Sequence, residues 1–202
     1  MGRYFGTDGF RGEAGSDLTA VHAFEIGRFL GWYYGELKKS RGEDEPARIV
    51  IGKDTRKSSY MYEYSLVGGL VASGADAYLL HVTTTPSISY ITRVDRFDCG
   101  VMITASHNPP EYNGYKVYWE DGAQVTPPHD TGIIADVNAV SSYDEVKTMP
   151  EKEAAEKGLL VYFGREIDDA YMEALKKQII HPEVIREMAD DIRIVYTPFH
   201  GA

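Results

Sequence analysis

The stretch that decides the fold is Cys99–Pro110, which reads CGVMITASHNPP. Its apolar run Val101–Ile103 has the length and composition of a buried strand. A serine, a histidine and an asparagine follow this run, and two prolines then exclude regular structure. The sequence therefore places a hydroxyl, an imidazole and an amide at the carboxyl end of a strand. Ligands bind at this edge in open α/β sheets.

The next segment predicts a strand that returns beside the first one. Asn113-Gly114 is a favourable turn dipeptide, and Tyr115–Trp119 alternates in the manner of a strand. Such a strand would bring Lys116 back toward Ser106. We therefore expect a nucleophilic hydroxyl with cationic and hydrogen-bonding neighbours.

The chain before this stretch alternates helices and strands. Helices are predicted at Leu18–Lys39, with Thr19 as its N-cap, at Ser59–Ser73 and at Thr83–Val94, and strands at Arg48–Gly52 and Ala77–Val82. Consecutive βαβ units imply parallel strands with helices on both faces, whereas the short return after the serine adds an antiparallel strand. We predict a three-layer α/β/α fold with a mixed, mainly parallel sheet.

The last third of the chain has weaker patterns. Residues 141–158 are charged and are predicted to form helical pieces with loops. The other predictions are helices at Asp130–Ala139, Arg165–Ile180 and Pro182–Met188 and a strand at Ile192–Tyr196, while Leu159–Phe163 is a short apolar run.

Two groups of polar residues are candidates for a phosphate site. The glycine-rich segment Tyr4–Gly12 is predicted to be a loop that approaches a ligand closely, and its Thr7 and Arg11 suit a phosphate. A solvated Arg11 is an equally good interpretation of the spacing alone. Asp54 and Arg56 follow a predicted strand, and we favour their pairing with each other or with a helix N-terminus over a role in the site.

Composition excludes several classes of protein. The formal net charge of −10 argues against nucleic-acid binding but permits anionic substrates. The single cysteine, Cys99, excludes an internal disulfide and a cysteine metal cluster. There is neither a signal peptide nor an apolar run of the ~18 residues that a membrane span needs. We expect a cytoplasmic protein without membrane or nucleic-acid partners.

The serine stretch resembles one known family. Thr104–Pro109 with Asn113–Lys116 resembles the phosphoserine loop of the α-D-phosphohexomutases, the phosphoglucomutase/phosphomannomutase family. Val117–Gln124 and Pro127–Asp130 resemble the phosphoglucomutase/phosphopentomutase branch in particular. This resemblance ranks phosphoglucosamine mutase lower, despite a similar Gly-Thr-Asp-Gly start at Gly6–Gly9.

The resemblance implies an intramolecular phosphotransferase. Phosphate on Ser106 passes to a free hydroxyl of a hexose monophosphate, and the bound 1,6-bisphosphate reorients and returns its other phosphate. The catalytic residues implied are Ser106, Lys116 and Arg11 for proton movements, and His107 as a weaker alternative base. The residues implied to bind substrate or phosphate are Thr7, Arg11, Ser106, His107, Asn108 and Lys116.

The resemblance also implies cofactors and further domains. Mg²⁺ would take one ligand from Ser106 through its phosphate, and a hexose 1,6-bisphosphate would act as activator and intermediate. The metal-binding Asp-Gly-Asp-x-Asp-Arg run of domain II is absent from this sequence. Residues 1–188 are expected to form domain I, and 189–202 the first strand and turn of a truncated domain II. Domains II–IV of the full-length chain would be its partners, and the fragment alone would be inactive.

Three other functions remain open on the sequence. Phosphomannomutase and phosphopentomutase are alternatives, because the sugar-recognition loop would lie beyond Ala202. A sugar-phosphate binding protein without catalysis could keep the same loop. A hydrolase that pairs Ser106 with His107 is disfavoured, because adjacent side chains seldom reach triad geometry and no Gly-x-Ser-x-Gly elbow is present.

Overall fold

The computed structural model describes residues 5–6, 9–139 and 149–197. This part of the chain forms an α/β fold with seven strands and seven helices. In chain order they are β1 (Phe5–Gly6), β2 (Gly9–Glu13), α1 (Ala20–Ser40), β3 (Arg48–Lys53), α2 (Ser59–Ala72), β4 (Asp76–Val82), α3 (Thr85–Val94), β5 (Cys99–Ile103), β6 (Tyr112–Trp119), α4 (His129–Ala139), α5 (Glu151–Glu156), β7 (Leu160–Tyr162), α6 (Arg165–Lys176) and α7 (Pro182–Met188).

One mixed sheet organises the molecule, in the strand order β1-β2-β6-β5-β3-β4-β7. The strands β5, β3, β4 and β7 pair in parallel, as the βαβ pattern predicts. The return strand β6 pairs antiparallel with β5, which confirms the prediction for that connection. Antiparallel pairing extends further than predicted, because β2 and β1 continue the sheet beyond β6.

Two cores lie on opposite faces of this sheet, because successive strand residues point to opposite sides. Ile49 and Ile51 of β3 pack in the core beneath α1 and α2. Val50 between them packs with Met102 of β5 against α3 on the other face. The central residues of both strands are therefore apolar, which is the pattern of a strand buried on both faces.

Helix α1 begins where the sequence predicts. The Thr19 hydroxyl accepts a hydrogen bond from the His22 backbone N–H, and His22 Nδ1 accepts one from the Thr19 N–H, both at 3.3 Å. This reciprocal capping satisfies two donors that a helix start leaves open. His22 therefore has a capping role in addition to its place on the helix surface.

The predicted glycine-rich loop at Tyr4–Gly12 was wrong for the residues that the structure describes. Gly9–Glu13 forms β2, and Phe10 is buried opposite Tyr115 of β6. Glycines hide the strand period in the sequence, and they are needed because the strands approach closely. A side chain at Gly9, where φ is 89°, would collide with the carbonyl oxygen of Tyr115.

Two further predictions were wrong. Asn113-Gly114 forms no turn but lies within β6, and the short loop before Tyr112 makes the return instead. Ile192–Tyr196 forms no strand, and its side chains are exposed from residue 192 to residue 196. A strand needs a neighbour to complete its hydrogen-bond ladder, and none is present among residues 5–6, 9–139 and 149–197. The prediction for 141–158 falls largely outside the described residues, and α5 accounts for the rest.

No helix in the described ranges combines the length and the apolar character that crossing a membrane requires. The thiol of Cys99 is free and buried at the start of β5.

Candidate active site

The serine loop, defined here as residues 104–111, leaves the carboxyl end of β5. Ser106 is half-buried and adopts a left-handed backbone with φ 56°, which is unfavourable for a residue with a side chain. Its N–H donates to the hydroxyl of Thr104 at 2.9 Å, and its own Oγ lies 3.3 Å from Nδ1 of His107. His107 is exposed. The loop therefore presents a hydroxyl and an imidazole together at the rim of the sheet.

Asp54 anchors the start of this loop from the end of β3. Its carboxylate is buried and accepts a hydrogen bond from the Thr104 hydroxyl at 2.8 Å and one from the Ser59 hydroxyl at 3.1 Å. Arg56 donates to the same carboxylate through its backbone N–H at 3.0 Å and through Nε at 3.1 Å. The predicted pairing of Asp54 with Arg56 is confirmed.

Arg56 also contacts the serine loop itself, and the sequence analysis missed this. Its guanidinium is buried and donates to four backbone carbonyl oxygens. These belong to Ser106 (2.8 Å), Asn108 (2.7 Å), Pro109 (2.6 Å) and Tyr112 (2.8 Å). The only sequence signal was its position, because the neighbouring parallel strands β3 and β5 end at the same edge.

Asn113 fastens the far end of the loop to α2. Its side-chain amide donates to the hydroxyl of Ser58 at 2.9 Å and to that of Ser59 at 3.0 Å, and its Oδ1 accepts from the Gly114 N–H at 2.9 Å. Ser59 in turn donates to Asp54. Both ends of the loop are thus held by one buried network, and Asn113 is a second residue that the sequence analysis read only as part of a turn.

Arg11 and Lys116 lie on the same face of the sheet beside this loop. Arg11 pairs with Gly114 across β2 and β6, and Lys116 is two residues further along β6 on the same side. Lys116 pairs with Met102 of β5, on the face opposite to the buried Tyr115. Burial, followed by the neighbouring Tyr62 phenol, raises the pKa of Tyr115 well above its usual value, so this phenol stays neutral and adds no negative charge near Arg11 and Lys116.

The predicted site residues are therefore largely gathered at one edge. Ser106, His107 and Asn108 share the serine loop, and Arg11 and Lys116 flank its base on the adjacent strands. Thr7 lies outside the described residues.

The donor set for a metal ion is limited. The described residues hold no group of three or more His, Cys, Asp or Glu side chains arranged to bind one. A phosphate on Ser106 would add an oxygen ligand of the kind that Mg²⁺ prefers. The fit is therefore confined to one ligand from the serine loop.

Comparison with known proteins identifies the family. The family described as "Phosphoglucomutase/phosphomannomutase, alpha/beta/alpha domain I" matches residues 2–144. The chain belongs to the phosphoglucomutase/phosphomannomutase family. A solved structure of a putative phosphomannomutase from Thermus thermophilus has the same fold, with a TM-score of 0.66 and 27% identity over 87% of this chain and 36% of that one.

The curated relatives are mutases of an amino sugar phosphate. Phosphoglucosamine mutase of Lachnospira eligens is 69% identical over 117 residues, which are 58% of this chain and 25% of the relative. That of Bacillus velezensis is 35% identical over 206 residues, which cover 100% of this chain and 41% of the relative. The chain thus spans between a quarter and two fifths of these relatives. Their names do not support the branch ranking from Val117–Gln124, which placed phosphoglucosamine mutase lower.

Proposed function

We propose that this chain is the phosphoserine-bearing domain of a phosphohexomutase, with Ser106 as the residue that carries the phosphoryl group. The observation that carries the proposal is the placement of the Ser106 hydroxyl at a sheet edge, on a loop held by Asp54, Arg56 and Asn113. Phosphoryl transfer depends mainly on positioning and on neutralisation of charge, and a rigid loop beside cations provides both.

The proposed reaction exchanges one P–O bond for another. The bond between phosphorus and Ser106 Oγ breaks while a bond forms to a free hydroxyl oxygen of a hexose monophosphate. Lys116, with Arg11 beside it, would move the proton of that hydroxyl, and the Ser106 oxygen ends protonated. The resulting 1,6-bisphosphate reorients in the site and returns its other phosphate to Ser106, which regenerates the phosphorylated serine.

The remaining contributions concern charge. A phosphate on Ser106 carries about −2 charge near neutral pH. Arg11 and Lys116 on the adjacent strands would balance it, with Thr7, His107 and Asn108 holding its oxygens. Mg²⁺, when bound through the Ser106 phosphate, would supply further charge neutralisation.

We propose an amino sugar as the substrate, a hexosamine phosphate, on the names of the curated relatives. Glucose, mannose and pentose phosphates are the alternatives. Comparing the mutase rates of the full-length protein on glucosamine, glucose, mannose and pentose phosphates would rank them, because the sugar-recognition loop is expected beyond Ala202. A faster reaction with the glucose compound would favour the branch that Val117–Gln124 resembles.

The experiment that tests the carrier role is intact-mass analysis of the full-length protein, with its further domains present, after incubation with a hexose 1,6-bisphosphate and Mg²⁺. We expect one added phosphate, located on Ser106 by peptide mapping and absent in Ser106→Ala. Ser16→Ala, in an exposed serine of another loop, is the matched control and should accept phosphate normally. Binding of the sugar phosphate without any adduct would favour the second candidate, a sugar-phosphate binding protein without catalysis.

We further propose that residues 1–188 form domain I and that 189–202 begin domain II, with domains II–IV completing the enzyme. The exposure of Ile192, Ile194 and Val195 supports this, because neighbouring strands of a second domain would cover these apolar side chains. The chain alone should show negligible mutase turnover. Turnover that disappears in Ser106→Ala would contradict this expectation.

A further inference from the structure

We infer that Arg56 is the positioning residue of the serine loop, and that it sets the direction of the loop's amides without itself binding phosphate. This inference rests on the proposed function of Ser106 as the phosphoryl carrier. Neither the resemblance nor the relatives assign a role to Arg56. The argument rests on the hydrogen bonds that its guanidinium donates.

Every N–H group of the Arg56 guanidinium has an acceptor within the chain. An arginine side chain has five such groups in a fixed planar arrangement. Nε donates to Asp54, Nη1 to the carbonyls of Pro109 and Tyr112, and Nη2 to those of Ser106 and Asn108. The side chain is also buried. Because its donors are used and Asp54 balances its charge, Arg56 has none left for a phosphate.

The direction of the Ser106 carbonyl fixes the direction of the next amide. In a planar trans peptide the C=O and the N–H point in opposite directions. Since Arg56 holds the Ser106 carbonyl toward the interior, the His107 N–H of the same peptide points outward, away from the guanidinium. A phosphate on the exposed side of Ser106 would meet this amide, and the loop would need no rearrangement to donate to it.

The same contacts maintain the unfavourable backbone of Ser106. A left-handed φ on a residue with a side chain persists only where its surroundings enforce it. Thr104 holds the Ser106 N–H, and Arg56 holds the Ser106 carbonyl, so both sides of the residue are fixed. Asp54 joins the two, because it accepts from both Thr104 and Arg56.

Arg56→Lys tests this role, because an ammonium keeps the charge but cannot span four carbonyls in a plane. We expect hydrogen exchange of the loop amides, including Ser106, to accelerate about tenfold or more while exchange in β3 and β5 stays unchanged. Arg48→Lys is the matched control. Arg48 lies at the opposite end of β3, over the rings of Tyr78 and Phe97, and its replacement should not affect the loop.

Two readouts separate positioning from mere stabilisation. The His107 amide proton should shift downfield when Ser106 is phosphorylated in the wild type, and not in Arg56→Lys. In the full-length protein, the rate of phosphate uptake from a saturating hexose 1,6-bisphosphate should fall at least about tenfold, with little change in the concentration needed for half-saturation. In Arg56→Ala, added guanidinium ion should restore uptake where ammonium ion does not.

The outcomes distinguish this inference from the proposed function. The positioning role would be overturned if the loop amides of Arg56→Lys exchanged at the wild-type rate and phosphorylation still shifted its His107 amide proton downfield. If the wild type takes no phosphate but Arg56→Lys still loosens the loop, the carrier role fails and the loop-holding role stands. If Arg56→Lys does not fold, Thr104→Val is the second test. It removes the hydroxyl that links Asp54 to the Ser106 N–H, and we expect the same loss of phosphate uptake.

Discussion

Gly114 lies directly opposite Arg11 in the ladder between β2 and β6, and a Cβ at Gly114 would stand 2.8 Å from Cγ of Arg11. That Cβ would also collide with the carbonyl oxygen of Phe10 and lie 3.1 Å from that of Thr104. The absence of a side chain at residue 114 therefore lets the serine loop, β6 and the arginine strand meet. Gly114 is therefore the residue at which the serine loop and the strand that carries Arg11 come into contact.

Gly114→Ala should displace Arg11 and separate the strands. We expect a loss of about 1–3 kcal/mol in the free energy of unfolding, the usual cost of overpacking, together with slower phosphate uptake by Ser106. Urea denaturation measures the first effect. Gly35→Ala in α1 is the control: a Cβ there meets nothing within 4 Å, so it should leave stability unchanged or raise it by up to about 1 kcal/mol. Equal stability of the two variants would contradict the packing argument.

The left-handed backbone of Ser106 should lower the stability of the protein, while its hydroxyl is needed to take up phosphate. Because φ is 56° at this residue, Ser106→Gly should relieve strain that Ser106→Ala retains. We expect the glycine variant to be more stable than the alanine variant by about 1 kcal/mol, while both lose the phosphate adduct. Thermal or urea unfolding of the pair checks this. An alanine variant as stable as the glycine variant would mean that the loop imposes no strain.

The sequence predicted the elements whose pattern is local. The apolar run of β3, the capping of α1 by Thr19 and the turn at the end of β5 each follow from neighbouring residues. The serine loop was found in the same way, since a strand that stops at small polar residues and prolines needs no distant information.

The failures have a common cause in long-range contacts. Asn113-Gly114 reads as a turn, yet Gly114 is a glycine because three segments approach it, and the Asn113 side chain reaches α2. Strand β2 was not predicted because its glycines hide the alternating pattern of a strand, and those glycines are required by the close approach of β6. The Arg56 contacts with the serine loop and with Tyr112 span 50 to 56 residues of sequence, and no spacing rule reaches that far.

The ion pair between Lys53 and Glu63 predicts a large single-mutant effect. Both side chains are 0% exposed, and the ion pair joins β3 to α2. Replacing one partner leaves a buried charge, so Lys53→Met and Glu63→Leu should each cost about 3–5 kcal/mol. The double variant should recover much of that loss, because the buried charges then disappear together. Lys39→Met, in an exposed pair with Glu36, should cost less than about 1 kcal/mol. Urea unfolding of all four variants measures this, and a double variant no better than the singles would refute it.

The buried thiol of Cys99 predicts a loss of stability at alkaline pH. Burial raises the pKa of this thiol to about 12, against about 8.5 for a free cysteine. Burial also raises the pKa of Tyr34, next to it, well above the usual value. The unfolded chain therefore releases these protons at lower pH than the folded chain does. The contribution of these two groups to stability should be constant below about pH 8 and should decline as pH rises toward 12. Urea unfolding between pH 7 and the highest accessible pH measures the slope, and Cys99→Ala should show a shallower one, with Tyr34 still contributing.

Modification of the native thiol by a disulfide reagent should proceed only as fast as the protein opens, and rapid labelling at pH 8 would show that Cys99 is not enclosed.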